Sequence, residues 1–271
     1  MSVLDDAPPA LADALRRIGL DTVEGAFAYG GGDELDKPGL AHRRRTRLAV
    51  TDANGMTHEL YLKRYHREGF AARLRRWRTY GIRTSPAGVE LANIQALRAA
   101  GVDTMQAVAC GQEWDGLDAR RSYLIVTAVP GERLEDAAGP FMQAHADSPE
   151  AISAFTASLA EAVRRFHAAG FVHRDLYACH LFLDDSSGAM RWYFIDLARV
   201  FRPRFRRTRW RVKDLAELKF SVPDAWSEAY GLAFLTTYLG EVGEANVRRW
   251  SGMIDRKVAR MRRRESRRGR I

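Results

Sequence analysis

Asp175 and Asp196 are the residues whose types and spacing best suit chemistry. Asp175 closes the polar run His173-Arg174-Asp175, which lies between the apolar runs Phe171-Val172 and Leu181-Phe182-Leu183. Asp196 ends the apolar run Phe194-Ile195. Two carboxylates on loops at the ends of short buried strands make a base-and-metal arrangement. Phosphoryl transfer fits such a pair: phosphates must be held, their charge neutralised by a metal, and an attacking hydroxyl oriented. Asp175 is the candidate base, accepting a hydrogen bond from the acceptor hydroxyl. Asp196 is the candidate metal carboxylate, with a turn or cap role as the alternative. Arg174 is expected to tie the loop to acidic or backbone groups, and His173 to pack. His180, five residues after Asp175, could ligate a metal through one nitrogen, hydrogen-bond phosphates, or only brace the loop. Its imidazole is a softer ligand than an amide carbonyl and suits magnesium less well.

The phosphates need a cation. Lys63, at the end of the strand-like run Leu60-Tyr61-Leu62, can project as a point charge toward α- and β-phosphates. Glu90 is the candidate partner that would fix its ammonium group. Taken alone, an ordinary edge-strand lysine and a glutamate favouring its helix dipole are the favoured readings, and the two gain weight only in combination with the acidic loops. Gly30-Gly31-Gly32 is the candidate phosphate-covering loop, although its spacing is not GxGxxG and a plain flexible turn also explains it.

The surrounding pattern says what positions these groups. Pro9 to Ile18 reads as a short helix ending at Gly19. Val23 to Tyr29 has strand composition, followed by the glycine triplet and a polar loop through Gly39. Arg45 to Thr51 and Glu59 to Tyr65 read as strands joined at Asp52-Ala53-Asn54-Gly55, a hairpin signal. Residues 66 to 85 read as a basic connector with Trp77 and Tyr80. Ser85-Pro86 starts a helix whose apolar residues Val89, Leu91, Ile94 and Leu97 recur at helical spacing. Val108 to Cys110 and Ser122 to Val129 read as strands with a turn at Asp115-Gly116, and Pro130-Gly131 breaks the chain. Pro149 to Ala169 fits a helix with one apolar stripe. Further helices are predicted at about 211 to 220, 224 to 239 and 243 to 265. The order is strands plus one helix, a break, then helices: an α+β chain with a small sheet-rich lobe, 1–129, and a helical lobe, 130–271.

Composition narrows the function classes. At 271 residues, with 46% hydrophobic and 28% charged residues, the chain is a folded globular protein. Cys110 and Cys179 form no CxxC pair, which argues against a zinc site or disulfide scaffold and fits a reducing compartment. Asp5 and Asp6 stand where a signal peptide would be basic, and no apolar run approaches the length of a bilayer span. A cytoplasmic protein is expected, peripheral on a membrane at most. Nine Lys/Arg and one acid between Arg256 and Ile271 carry +8 of the net +9, so this tail is expected to meet a polyanion, with a solvated helix end as the plainer alternative. A second basic run, Arg199 to Lys213, has eight Lys/Arg, no acid, and Phe201, Phe205 and Trp210 interleaved. No recognition-helix, zinc or stacking-sheet motif supports nucleic-acid binding.

His173-Arg174-Asp175-Leu176-Tyr177-Ala178-Cys179-His180 resembles the His-Arg-Asp-x-Tyr-x-x-His motif of the lipopolysaccharide kinases, the Kdo and heptose kinases of the bacterial envelope. Tyr61-Leu62-Lys63-Arg64-Tyr65 resembles that family's strand lysine. Ala87-Gly88-Val89-Glu90 is similar to its glutamate helix, Ile195-Asp196-Leu197 to its metal loop, and Trp210-Arg211-Val212-Lys213-Asp214-Leu215-Ala216 to the segment beyond. These matches span roughly residues 45 to 240, and His-x6-His is the most specific. The resemblance implies a bilobal protein-kinase-like fold, ATP with Mg2+ (or Mn2+), and a sugar hydroxyl of the lipopolysaccharide core as acceptor. It makes histidine at 180 a family feature. Adenine is then expected at backbone groups of Thr127, Ala128 and Val129, with Tyr61 narrowing that pocket or stacking on the base. Arg199, Arg202, Arg204, Arg206, Arg207, Arg209 and Arg211 are expected to read acidic groups of a glycolipid acceptor, with a surface loop pairing to acidic helices as the alternative. The basic tail and the arginines around Trp77 are expected at the cytoplasmic face of the inner membrane. Leu197-Ala198 replaces the Phe-Gly of protein kinases. A kinase for another alcohol, such as a protein side chain or an aminoglycoside, and a catalytically silent kinase-like binding protein remain the alternatives.

Overall fold

The computed structural model describes residues 7–35, 43–267 and 269. The chain divides into two compact units, Met1–Ala96 with Thr104–Val129 and Leu97–Asp103 with Pro130–Ile271. The first unit contains α1 (Pro9–Arg17), α2 (Val23–Ala28), β1 (Asp33–Glu34), β2 (Arg43–Thr51), β3 (Thr57–His66), α3 (Phe70–Tyr80), α4 (Pro86–Ala99), β4 (Ala107–Asp115) and β5 (Asp118–Thr127). The strands form one antiparallel sheet in the order β1-β2-β3-β5-β4.

The β2–β3 turn forms as its sequence predicts. The Asp52 carboxylate accepts from the amides of Asn54 (2.8 Å) and Met56 (3.1 Å), and Gly55 takes φ +79°. The period-2 alternation of β3 places Leu60 and Leu62 on a core that includes Leu11 and Leu15 of α1. Tyr61, Lys63 and Tyr65 occupy the opposite face. Ser85 starts α4 by accepting from the Gly88 amide at 2.8 Å, with Pro86 as the first helical residue.

Two sequence expectations are corrected here. Val23–Tyr29, read as a strand, forms α2 instead. Thr22 caps it, its hydroxyl accepting from the Gly25 amide at 3.0 Å, and this local cap outweighs the strand propensity of Val23 and Phe27. The connector 66–85 contains the helix α3. The polar loop through Gly39 lies outside the described residues from position 36 onward.

The second unit contains β6 (Glu132–Arg133), α5 (Leu134–Ala144), α6 (Pro149–Ala168), β7 (Leu181–Asp184), β8 (Arg191–Phe194), α7 (Arg207–Ser221), α8 (Asp224–Leu239) and α9 (Glu244–Ser266). Short 3-10 turns cover Ala178–His180 and Leu197–Arg199. The apolar stripe of α6 is buried as predicted, with Ile152, Phe155, Leu159, Val163 and Phe166 all in the core. Phe155 stacks on Phe141 and meets Trp192 and Trp226 edge-on, with centroids 4.5, 5.4 and 5.8 Å away. The β7–β8 hairpin hangs from this helix and delivers the two acidic loops. The end of α4 joins this unit through Asp103, whose carbonyl accepts from the Phe194 amide (3.0 Å) and whose carboxylate pairs with Arg191 (2.7 Å).

The basic tail is ordered into α9. Ile254 and Val258 are buried, and Arg262 pairs with Asp224 at 2.5 Å. Residues 256–266 are therefore a packed helix rather than a frayed end, while residues 268, 270 and 271 lie outside the described residues. No helix among the described residues is long and apolar enough to cross a membrane.

Gly131 has φ +83°, and a Cβ placed there would lie 1.9 Å from the Leu183 carbonyl oxygen. Gly131→Ala is expected to cost about 1–3 kcal/mol and lower Tm. Gly231→Ala, with no atom within 4 Å of the added Cβ in α8, is expected to gain about 0.5–1 kcal/mol. Thermal denaturation of both variants checks the opposite signs.

Candidate active site

The catalytic-loop candidates are held from behind by one buried carboxylate. Asp214, on α7, is fully buried. Its Oδ2 accepts from the His173 amide (2.6 Å) and lies 3.2 Å from Nε2 of His167, while Oδ1 accepts from the Arg174 amide (2.8 Å). His167 Nδ1 meets the Tyr238 hydroxyl at 2.8 Å. Burial alone would raise the Asp214 carboxyl, but His167, His173 and the backbone donor hold it below its ordinary value. Arg174 has φ +72°, a left-handed conformation that a branched or long side chain adopts only under constraint. Its amide is held by Asp214, its carbonyl by the Lys213 ammonium, and its guanidinium faces Phe201 and Trp210 at 5.5 Å each. These contacts turn Asp175 outward, half-buried.

His180 and Asp196 stand beside it. His180 Nδ1 is 2.8 Å from the Asp175 carbonyl oxygen, so that nitrogen carries the proton and donates. Its Nε2 lies 3.8 Å from Oδ2 of Asp196. Asp196 has φ +55°, the second strained residue of the site, and the preceding Ile195 amide donates to the His180 carbonyl at 3.0 Å. His173 is fully buried, and its Nε2 meets the Ile195 carbonyl at 2.9 Å. It links the two acidic loops as a packing residue. Burial works against a charged ring at His180, but the Cys179 side chain, the Asp175 carbonyl and Asp196 outweigh it and push the imidazole up to about 9. His180 Nε2 and Asp196 Oδ2 therefore face each other as an imidazolium–carboxylate pair, and a divalent cation held by both would have to displace the Nε2 proton.

Arg199 is committed to Asp175, its Nη1 2.7 Å from Oδ1. It steadies the candidate base and leaves the second carboxylate oxygen to other donors. Arg202 lies over the Phe171 ring at 4.3 Å. Arg207 reaches the Pro203 carbonyl, and Arg211 donates to the His167 carbonyl at 2.9 Å, tying α7 to α6. Arg204, Arg206 and Arg209 are exposed and have no carboxylate partner among the described residues, and Phe205 between them is 82% exposed. The seven arginines therefore separate by placement: Arg199 on Asp175, Arg211 in the packing behind it, and five, Arg202, Arg204, Arg206, Arg207 and Arg209, exposed without a carboxylate partner among the described residues.

In the first unit, Lys63 Nζ meets Glu90 Oε1 at 2.5 Å, and the Tyr65 hydroxyl donates to Oε2 at 2.7 Å. Both charged side chains are buried, so each depends on the other. Tyr61, on the same strand face, donates to Glu59 at 3.0 Å. The Thr127 and Ala128 amides donate to the carbonyls of Gln106 (2.8 Å) and Glu59 (2.9 Å). Gly30-Gly31-Gly32 links α2 to β1. Gly32, at φ +82°, is needed because a Cβ there would lie 2.3 Å from the Arg47 carbonyl oxygen.

Three residues behind the loop were not singled out from the sequence: Asp214, Lys213 and Glu217. Their signal is weak but present, since Asp214 and Glu217 share the buried stripe of α7 with Leu215 and Leu218. Lys213 bridges the Arg174 carbonyl and Glu217. Burial pushes Glu217 up to about 7 although Lys213 opposes the shift. Tyr177 is pushed up in turn by burial, with Glu217 and Asp175 adding to it. An apolar cavity of about 250 Å³ among α7, α8 and α9, lined by Leu218, Trp226, Leu235 and Ile254, includes none of the candidate catalytic or acceptor side chains.

The family model for the lipopolysaccharide kinase (Kdo/WaaP) family matches residues 38–238. The chain is similar to lipopolysaccharide core heptose(I) kinase WaaP of Pseudomonas aeruginosa, 31% identical over 185 residues that cover 65% of this chain and 69% of that protein. It is 36% identical over 137 residues to the WaaP of Escherichia coli, covering 47% of this chain and 50% of that one. A solved chain described as WaaP in complex with acyl carrier protein superposes with a TM-score of 0.66 at 26% identity, over 91% of this chain and 95% of the other.

Glu217 generates a pH prediction. A carboxyl at about 7 in the fold against an ordinary 4.5 means that folding takes up a proton across that window. Its contribution to stability is therefore fully present below the lower value and is lost as pH rises through the higher one. Glu217→Gln removes that dependence. The Tm difference between variant and parent should move in the variant's favour from about pH 5 to about pH 7.5. A difference that stays constant over that range would refute the assignment.

Proposed function

The chain belongs to the lipopolysaccharide kinase (Kdo/WaaP) family, and from that premise we propose that it transfers the γ-phosphoryl group of ATP to a heptose hydroxyl of the lipopolysaccharide core. The observation that carries this reading is His180, which is hydrogen-bonded to the Asp175 backbone and 3.8 Å from Asp196, so that candidate base and candidate metal carboxylate share one brace.

In this reading Asp175 receives the hydrogen bond, and then the proton, of the attacking hydroxyl. Arg199 on one of its oxygens fixes the rotamer. The Asp214 and Lys213 contacts to Arg174 hold the loop in its strained turn, so no reorganisation is needed as the hydroxyl approaches. Lys63 supplies a positive point charge for the α- and β-phosphates, oriented by Glu90 and Tyr65. Asp196 and His180 would hold Mg2+ or Mn2+, which neutralises phosphate charge when bound. Cation binding at Nε2 of His180 requires that nitrogen to be without its proton. With the Thr127 and Ala128 amides engaged in the sheet, adenine recognition by a backbone donor falls to the Val129 amide. Gly32 serves first as a close-packed link into β1, and a phosphate-covering role for Gly30 to Gly32 is secondary.

The exposed arginines 202, 204, 206, 207 and 209 suit anionic groups of the acceptor, with Phe205 offering a face to a sugar ring. A glycolipid acceptor places the enzyme at the cytoplasmic face of the inner membrane, and the basic face of α9 is proposed to help hold it there. The solved WaaP chain was found with acyl carrier protein, so such a protein is a proposed partner here.

Asp175→Ala and Asp196→Ala should each lower kcat by about 10²-fold or more, measured as ATP turnover with core oligosaccharide. Unchanged turnover in both would refute the site. Arg204→Ser with Arg209→Ser should raise the KM of the acceptor more than that of ATP. Equal effects on both would remove the acceptor role. Co-purification of acyl carrier protein with the full chain, and a rise in Tm when it is added, would support that partnership, and neither effect would end it.

A further inference from the structure

Helix α3 is built inside out. Two of its four arginines point inward: Arg76 is 7% exposed, pairs with Glu68 at 2.8 Å and donates to the Thr84 carbonyl, while Arg73 pairs with Asp118 at 2.5 Å. Arg67, just before the helix, holds the same Asp118 at 2.8 Å. Phe70 and Leu74 point outward, whereas Trp77 is half-buried. Phe70 is 67% exposed, Leu74 43%, and Ile82, just beyond the helix, 66%. Leu117, next to Asp118 in the β4–β5 turn to which these arginines are tied, is 56% exposed.

A helix stabilised only by its own sheet would do the reverse, since burying Phe and Leu stabilises and burying guanidinium groups costs unless they are paired. Here three arginines converge on one carboxylate, which fixes the roll of the helix about its axis. Phe70, Leu74 and Arg78 then form one i, i+4, i+8 stripe on the open side. Arg75 and Arg78 flank the apolar tips, are exposed, and have no carboxylate partner among the described residues. From Gly69 to Val89 there are five arginines and no Asp or Glu. The face is apolar at its tips with exposed arginines beside them, and the nearby exposed carboxylate, Asp115 at the β4–β5 turn, is paired with Arg67 at 3.0 Å.

We propose that this face of α3, with Ile82 and Leu117, docks on a phospholipid bilayer bearing anionic headgroups. Such a surface offers an apolar layer for the tips and negative charge at the depth of the arginines. The proposal rests on the reading that the acceptor is a membrane-held glycolipid, and it assigns the anchoring to the first unit in addition to α9. Each exposed arginine should strengthen partition about fivefold on anionic vesicles, and loss of either large apolar tip should weaken it about tenfold.

The test is co-sedimentation of the full chain with vesicles of phosphatidylethanolamine and phosphatidylglycerol, beside vesicles of phosphatidylcholine alone. Phe70→Ser with Leu74→Ser should lose partition to the anionic vesicles, and Arg75→Ser with Arg78→Ser should lose it at low salt and match the parent at high salt. Both variants change exposed positions and should keep the parent's Tm and its turnover of delipidated core oligosaccharide. Parent-like sedimentation of both variants would overturn the proposal, as would failure of the parent to bind anionic vesicles. Loss of an acyl carrier protein complex in these variants, with vesicle binding unchanged, would assign the face to a protein instead. Absence of turnover in the parent would count against the kinase reading and leave the vesicle result to stand by itself.

Discussion

A buried carboxylate is costly unless every lone pair finds a donor, and Asp214 shows what that constraint can accomplish. Its donors are two consecutive backbone amides and a histidine, all in the interior. Because the carboxylate is planar and fully buried, the amides of His173 and Arg174 must converge on it. That convergence forces Arg174 into its left-handed turn, and the turn carries Asp175 out of the core. The strain at Arg174 is thus balanced by a group whose own burial depends on the strained turn. Each side of the arrangement is unstable without the other, which is the condition for a loop that does not relax.

The same logic operates in the first unit with the signs exchanged. Lys63 and Glu90 are both buried, and breaking either leaves an uncompensated charge. Tyr65 occupies the second carboxylate oxygen, so Glu90 cannot rotate away from the ammonium group. In both units a polar cluster within the core, rather than a flexible surface chain, fixes the direction of the functional group. Apolar packing cannot do this alone, because it is non-directional.

This distinction explains what was legible in the sequence. The β2–β3 hairpin, the stripe of α6 and the start of α4 at Ser85-Pro86 depend on local turn chemistry and periodicity, and they formed where those signals placed them. The acids at 175 and 196 were legible because each interrupts or ends an apolar run. Asp214 has no local signal of its role, because its partners lie about forty residues away. Arg199 and Arg211 read as members of one basic run, yet one holds the Asp175 carboxylate and the other a carbonyl of α6. Charge patterning counts residues but not directions. The strand expected at 23–29 failed for the opposite reason: a single threonine cap decided a six-residue segment whose composition favoured β structure.

Helix α3 extends that lesson to energetics. A composition-based reading of Phe70 to Tyr80 sees a basic segment with a few apolar residues and expects the apolar ones inside. Paired, hydrogen-bonded guanidinium groups can take the inner positions when the carboxylates that receive them are already fixed, as Asp118 is at the start of β5. Arg76 and Arg73 commit their charge to the fold through Glu68 and Asp118. Phe70 and Leu74 are released to the outside at little cost to the fold. The asymmetry between inner and outer faces is then set by ion pairing, and the apolar residues are free to answer to a second, external environment.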